Sequence, residues 1–254
     1  MLLACHKPSG ISSFDVVKII RTHFQDKVGH SGTLDPMASG LMILGVGKGT
    51  KQLTHLIGMD KSYTTTIDFS LLTDTRDASF WEREERFEIV DQEGQCYLQK
   101  NGKLIPAPDL SQIQSFLDSI LYHEKKNTLL PLPTFSAKKQ NGKRLYKDAR
   151  KGKAEIQEKA MKIYNYQIID YHFPLLKIKL EVGSGTYIRS IGYRLGQQLG
   201  LGGALIELER TSIGPRSLEQ ISKNSSAQGR IKGVDRVIYF QELKQSEPKE
   251  PAQV

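Results

Sequence analysis

Between Gly29 and Gly49 the chain carries glycines at positions 29, 32, 40, 45, 47 and 49, with Pro36 inside the run. No helical spacing of apolar residues is present there, and the next apolar segment is the short Leu41–Leu44. Glycine permits tight or left-handed backbone. Pro36 fixes its own φ and pushes Asp35 towards extended geometry. The stretch is therefore expected to be a loop with special backbone demands that its neighbours must hold. Such a loop can present one carboxylate, Asp35, rigidly. A surface turn with Asp as the turn former is the plainer reading of these residues alone.

The flanking sequence supplies both strands and helices. Leu2–Cys5 reads as a short strand. Ser12 and Asp15 form a capping-box pattern ahead of Phe14, Val17, Ile20 and Phe24, which predicts a helix from about Ser13 to His23. Tyr63–Phe69 is β-branched and alternating, hence a strand. Phe87–Val90 and Gln95–Leu98 can pair as a hairpin, and Ser111–Tyr122 has helical spacing. Met161–Asp170 and Leu175–Val182 read as strands, Ile188–Leu199 as a helix and Ala204–Ile213 as a strand. Gly214–Gly233 is polar and weakly patterned, Val234–Leu243 forms one last short element, and Gln245–Val254 reads as a frayed tail. This irregular mixture predicts an α+β fold, a mixed and mostly antiparallel sheet flanked by helices.

Several function classes are disfavoured. No apolar run approaches the ~20 residues needed to cross a bilayer as a helix. Leu2-Leu3-Ala4-Cys5 resembles a lipoprotein cleavage box but lacks the basic and apolar segments that must precede one, so a cytoplasmic location is expected. Cys5 and Cys96 are too far apart for a disulfide framework or a zinc knuckle, and the histidines show no ligand spacing, so no metal is expected. Gly45–Thr50 fails as a phosphate-binding loop, because Met42 and Gly49 stand where Gly and Ser/Thr are required.

Charge is uneven. The total is 36 Lys+Arg against 28 Asp+Glu, a net of +8. Lys138–Lys162 alone holds ten basic and three acidic residues, whereas Asp74–Glu93 holds eight acidic and three basic ones. A basic stretch is either a solvated face or a footprint for a polyanion. Gly185–Arg189 stands at a strand-to-helix junction. It reads equally as an anion site or as an ordinary junction with Thr186 as N-cap.

Five blocks bring in a resemblance. Lys27-Val-Gly-His-Ser-Gly-Thr-Leu-Asp35-Pro-Met-Ala-Ser-Gly40 closely resembles the catalytic motif of TruB-type tRNA pseudouridine synthases. In the same order as in that family come Lys7-Pro8-Ser-Gly10-Ile-Ser-Ser and Lys61-Ser-Tyr63 with Thr73-Asp-Thr-Arg-Asp77. The basic Ser136–Gly152 block and Gly185-Thr-Tyr-Ile-Arg189 with Leu208-Glu-Arg210 follow. The likeness covers roughly residues 2–215.

It implies an isomerase that converts a uridine of the TΨC loop of tRNA, position 55, to pseudouridine with no redox step and no cofactor. The target base lies in a folded loop and must be flipped out. The resemblance makes Asp35 the essential carboxylate and Arg189 the guanidinium that favours its charged form. Tyr63 would stack on the flipped uracil, Tyr187 and Leu208 would shape its pocket, and His30 would fill the space the base vacates or stack on a neighbour. Lys139, Lys143, Arg144, Arg150 and Lys151 would contact phosphates. The implied partner is the TΨC stem-loop of tRNA, bound by a monomer with no obligatory protein partner and no membrane.

His6 departs from the family, which commonly has an acidic residue there. The organisation expected is a catalytic domain over residues 1–215, a polar acidic insert at about 79–108, and a short extension over 216–254 without a complete C-terminal PUA module. A guide-dependent rRNA synthase and a non-catalytic RNA-folding protein are the competing classes. The short extension disfavours the first, and the intact Asp35, Tyr63 and Arg189 set disfavours the second.

Overall fold

The computed structural model describes residues 1–78, 84–122, 127–133, 139–140, 143–144, 157–222 and 224–243. Strand β1 (Leu2–Lys7) leads to helix α1 (Ser13–Phe24), and β2 (Val28–His30) and β3 (Ser39–Val46) bracket the Asp35 loop. A 3-10 turn (Gly47–Gln52) and the short α2 (Leu53–Ile57) follow. Next come β4 (Lys61–Asp68), β5 (Leu71–Thr73), β6 (Glu84–Arg86), β7 (Glu88–Gln92), β8 (Gln95–Lys100), β9 (Lys103–Pro106) and helix α3 (Leu110–Ser119). Beyond it lie β10 (Thr128–Pro131), β11 (Lys139–Gln140), β12 (Lys143–Arg144), β13 (Glu158–Met161), β14 (Ile163–His172), β15 (Leu175–Val182) and helix α4 (Ile188–Leu199). The last strands are β16 (Ala204–Ile213), β17 (Arg216–Ser217), β18 (Ser226–Ile231) and β19 (Val234–Leu243). The result is the expected mixture, strand-rich and mostly antiparallel, with few helices among the described residues.

The chain divides into two compact units: Met1–Met59 with Arg210–Val254, and Asp60–Glu209. In the first unit the strand order is β3, β1, β19, β18, with the end of β16 from Arg210 onward beside β3. Strand β1 lies antiparallel between β3 and β19, with Leu2 opposite both Gly45 and Leu243. Ala4, Leu41, Ile43 and Ile213 are buried together as its core, with Leu56 and Met59 packed against them. Helix α1 starts as its sequence dictates. Asp15 N–H donates to Ser12 Oγ at 3.1 Å and Ser12 N–H donates to Asp15 Oδ2 at 2.9 Å. Its apolar stripe, Val16, Val17, Ile19 and Ile20, is buried.

Strand β18 corrects the reading of Gly214–Gly233 as weakly patterned. Its polar residues Ser226, Gln228 and Arg230 are exposed while Ala227 is buried, and Ile19 of α1 stands where a side chain on Gly229 would be. Val234–Leu243 is a full ten-residue strand paired with β18 and β1.

In the second unit the order is β14, β15, β4, β16. Leu176, Ile178, Leu180 and Val182 of β15 are buried in strict alternation, the period-two pattern seen in the sequence. The expected hairpin is present as β7 and β8, and β9 extends it to a three-stranded meander. Helix α3 starts one residue before the expected Ser111 and ends at Ser119, short of the expected Tyr122, and Asp109 and Gln112 form a reciprocal capping box at its start. Residues 79–83 of the acidic segment and the tail 244–254 lie outside the described residues.

Candidate active site

Within the first unit, the loop carrying Asp35 is tied at nearly every residue. Antiparallel pairing of β2 with β3 sets His30 opposite Leu44 and closes the base of the loop. Ser31 N–H donates to Ile43 O at 3.0 Å. Leu34 is held through both backbone groups by one hydroxyl, Ser13 Oγ, at 2.8 and 3.0 Å. Gly10 N–H donates to Pro36 O at 2.8 Å, and Ser9 Oγ donates to Met37 O at 2.7 Å. Ala38 N–H closes the turn on Asp35 O at 3.0 Å. The Asp35 side chain is half-buried in this frame.

The centre of the clamp is Lys7, whose side chain is completely buried. Its ammonium donates to Pro8 O, Pro36 O and Ala38 O, so it grips the Asp35 turn from below. Burial pushes this ammonium down to about 8, and the Asp35 charge is the leading influence that pulls it back up. Arg210 closes the other side. Its Nε donates to Leu41 O at 2.8 Å and its Nη2 to Gly32 O at 3.3 Å. Gly40 has φ +110° and lies directly against the Arg210 backbone, where any Cβ would collide. The glycine is required there for both reasons. His30 accepts from Gly32 N–H on Nδ1 at 3.3 Å. Burial, then the Arg210 charge, lowers its pKa, so the ring is neutral at pH 7 and carries its proton on Nε2.

Within the second unit, Tyr63 on β4 and Leu208 on β16 are buried on neighbouring strands. Glu207 fixes these strands to each other, its carbonyl accepting from Thr65 Oγ1 at 2.6 Å and its carboxylate from Thr66 Oγ1 at 2.8 Å. Arg189 sits in the first turn of α4, buried, and its Nη1 donates to Thr75 O at 2.8 Å. The same nitrogen is 3.3 Å from Asp77 Oδ2, and both side chains are nearly inaccessible. Asp77 is itself anchored. Its carbonyl accepts from Thr73 and Thr75 hydroxyls at 2.9 and 3.0 Å, and its Oδ1 accepts from Thr75 at 3.2 Å.

Arg76, at φ +62°, turns its guanidinium under α4. It stacks 4.0 Å over the Tyr193 ring and donates to Pro131 O at 2.6 Å. Tyr187 is the N-cap of α4 and uses no side-chain cap bond, which replaces the expected Thr186 cap. Thr186 Oγ1 donates instead to Lys162 O at 3.2 Å.

Asp35 and His30 are thus placed in the first unit, and Tyr63, Tyr187, Arg189 and Leu208 in the second. Lys139, Lys143 and Arg144 lie on the paired strands β11 and β12, with Lys139 opposite Arg144. Arg150 and Lys151 lie outside the described residues. Sequence reasoning missed Lys7, which holds the Asp35 turn, and Asp77, which pairs with Arg189. Both stood inside quoted motif blocks, among mostly polar neighbours that gave no signal of burial. Among the described residues no group of three His, Cys, Asp or Glu side chains is arranged to hold a metal ion.

Comparison with known proteins places these features. Residues 20–100 and 90–188 match the family model described as TruB family pseudouridylate synthase, N-terminal domain. The tRNA pseudouridine synthase B of Francisella tularensis subsp. tularensis (strain WY96-3418) is 36% identical over 221 residues, covering 86% of this chain and 67% of that protein. The protein of the same name from Chloroherpeton thalassium (strain ATCC 35110 / GB-78) is 36% identical over 230 residues, covering 86% and 85%.

Among solved structures, a Cbf5–Nop10–Gar1 complex aligns with TM-score 0.59 at 22% identity, covering 85% of this chain and 49% of that one. An H/ACA ribonucleoprotein bound to a substrate RNA containing 2'-deoxyuridine aligns with TM-score 0.56 at 21% identity, covering 85% and 48%. The chain spans about half the length of these solved proteins, and the likeness establishes the shared fold. With the motif loop built as described and two thirds of the sequence matched by the family model, the chain belongs to the TruB family of pseudouridylate synthases.

Proposed function

We propose that this chain isomerises the uridine at position 55 in the TΨC loop of tRNA to pseudouridine, with Asp35 as the essential carboxylate. The observation that carries the reading is the clamped Asp35 turn. A half-buried carboxylate is held on a loop whose carbonyls are gripped by the buried ammonium of Lys7. Fixing a reacting group before the substrate arrives removes its reorganisation from the barrier. The relatives at 36% identity carry the name tRNA pseudouridine synthase B, which favours tRNA as substrate.

The reaction is an internal rearrangement. The N1–C1' bond breaks, the base turns, a C5–C1' bond forms, the C5 proton leaves and N1 gains a proton. Atoms and electrons balance without an outside reagent. Asp35 acts at the sugar or the base, or removes a proton. Arg189 keeps the role that the resemblance gives it, favouring the ionised carboxylate. Tyr63 stacks on the flipped uracil, an interaction worth ~1–3 kcal/mol. Tyr187 and Leu208 shape the base pocket. His30, neutral and donating from Nε2, takes the place of the departed base or stacks on its neighbour. Lys139, Lys143, Arg144, Arg150 and Lys151 contact phosphates. The enzyme acts in the cytoplasm as a monomer on naked tRNA.

The test is incubation of unmodified tRNA with the protein alone, followed by mapping of pseudouridine. One modified position in the TΨC loop is expected from wild type and none from Asp35→Asn. Pseudouridine formed by Asp35→Asn at the wild-type rate would refute the assignment.

A further inference from the structure

A ledge of aromatic and basic side chains runs outward from Tyr187 within the second unit, on residues outside those assigned above to phosphate or base contact. Strands β13 and β14 meet at Met161–Ile163, and this bend is stitched to the Gly183–Tyr187 turn. Gly183 N–H and Thr186 Oγ1 both donate to Lys162 O, at 2.9 and 3.2 Å, and Tyr187 N–H points at Met161 Sδ, 3.4 Å away. The stitching brings two lysines beside tyrosine rings. Lys159 Nζ lies 5.5 Å over the Tyr187 ring and donates to Gly185 O. Lys162 Nζ lies 5.1 Å over the Tyr122 ring, and Tyr122 meets Tyr164 edge-to-face at 5.8 Å. Tyr164 is exposed, with its hydroxyl 3.2 Å from Asp60 Oδ1.

Two features make this more than a solvated strand. Tyr164 and Lys162 are both exposed, yet each has side-chain contacts, the Tyr164 ring with Asp60 and Tyr122 and the Lys162 ammonium with the Tyr122 face. Burial and the Asp60 charge both raise the Tyr164 pKa, so its ring stays uncharged beside any anion. The pairing of a sequence-tolerant aromatic face with an adjacent ammonium suits one kind of partner, a nucleic-acid strand whose bases are not all paired. A protein partner would more usually meet a larger apolar face at such a point.

We propose that Lys159, Lys162, Tyr122 and Tyr164 form a second RNA-contacting surface, which takes a backbone phosphate on the lysines and an exposed base on Tyr164. This rests on the functional reading above and extends it from the reacting uridine to a neighbouring nucleotide of the same RNA.

The probe is a fluorescein-labelled TΨC stem-loop RNA titrated with the full chain, its anisotropy read at several salt concentrations. Lys162→Gln is expected to raise Kd about fivefold and to flatten the slope of log Kd against log salt by about one. Tyr164→Ala is expected to raise Kd at least threefold. Lys103→Gln, which removes an exposed charge on β9, is expected to stay within twofold of wild type. The surface is refuted if either Lys162→Gln or Tyr164→Ala binds within twofold of wild type, or if Lys103→Gln weakens binding as much as Lys162→Gln. Pseudouridine is assayed in parallel with wild type on the same RNA. Its absence there would overturn the functional reading, while the pattern of Kd values still decides the ledge.

Discussion

Lys7 is a charged group that its surroundings partly disown. Its ammonium donates to three carbonyls, and Asp35 supplies the main charge that compensates for burial. Replacing it with methionine removes the lysine donor from Ala38 O and leaves Pro36 O with Gly10 N–H alone, at about 1–3 kcal/mol for a buried group orphaned. Lys7→Met is therefore expected to unfold at lower urea concentration and to slow pseudouridine formation.

The pH dependence has a definite sign. With a folded-state pKa of about 8 against an unfolded 10.5, the unfolded chain binds the extra proton between those values. Stability from this group therefore rises with pH across that window. Urea titrations at pH 8 and 10 should show a larger relative gain for wild type than for Lys7→Met. Asp77 is the parallel case: Asp77→Asn removes the carboxylate 3.3 Å from the buried Arg189 guanidinium and is expected to lower the urea midpoint in the same titration.

The Asp35 loop stood out in the sequence because its motif is local and dense, and the resemblance to the family's motif, rather than the residues alone, singled out Asp35. Lys7 and Asp77 were not, since their roles depend on atoms remote in sequence. Lys7 reaches carbonyls 29 and 31 residues away, and Arg189 reaches a carbonyl 114 residues away. No spacing rule encodes such contacts.

Elements whose own side chains fill the core could be read directly. The alternation in β15 and the apolar stripe of α1 each gave their position within a residue or two. Strand β18 could not be read that way, because its buried positions carry only Ala227 and the partly buried Gly229 and Ile231, with Ile19 of α1 against Gly229. The glycine-rich loop was legible as a constraint and silent as to its cause. Gly40 is needed because the Arg210 backbone runs against it, and Arg210 lies far along the chain. Gly40→Ala is expected to cost well over 1 kcal/mol, through both the left-handed φ and the collision. It should lower the urea midpoint more than alanine at Gly94, which also has positive φ but stands in open space. The difference between the two isolates the close approach from the dihedral strain.

For the molecule as a whole, the two stretches of opposite charge make the net +8 a poor guide to what an RNA would meet. Affinity for the stem-loop should fall steeply as salt rises from 50 to 200 mM, by about tenfold or more if several phosphates are neutralised; flat binding would show that phosphate contact is minor. The way the units are cut from the chain has a consequence for the order in which they can form. Asp60–Glu209 is one uninterrupted stretch, whereas the other unit joins the first fifty-nine residues to those after Glu209. A polypeptide leaving the ribosome at ~5–20 residues per second presents β1 long before its partner β19 exists, although Leu2 must finally lie opposite Leu243. The interrupted unit, with the Asp35 loop inside it, is therefore the last to close. Pulse-labelling hydrogen exchange during refolding should find β4 and β15 protected before β1. The unit that carries Asp35 can therefore close only after Leu243 has been made.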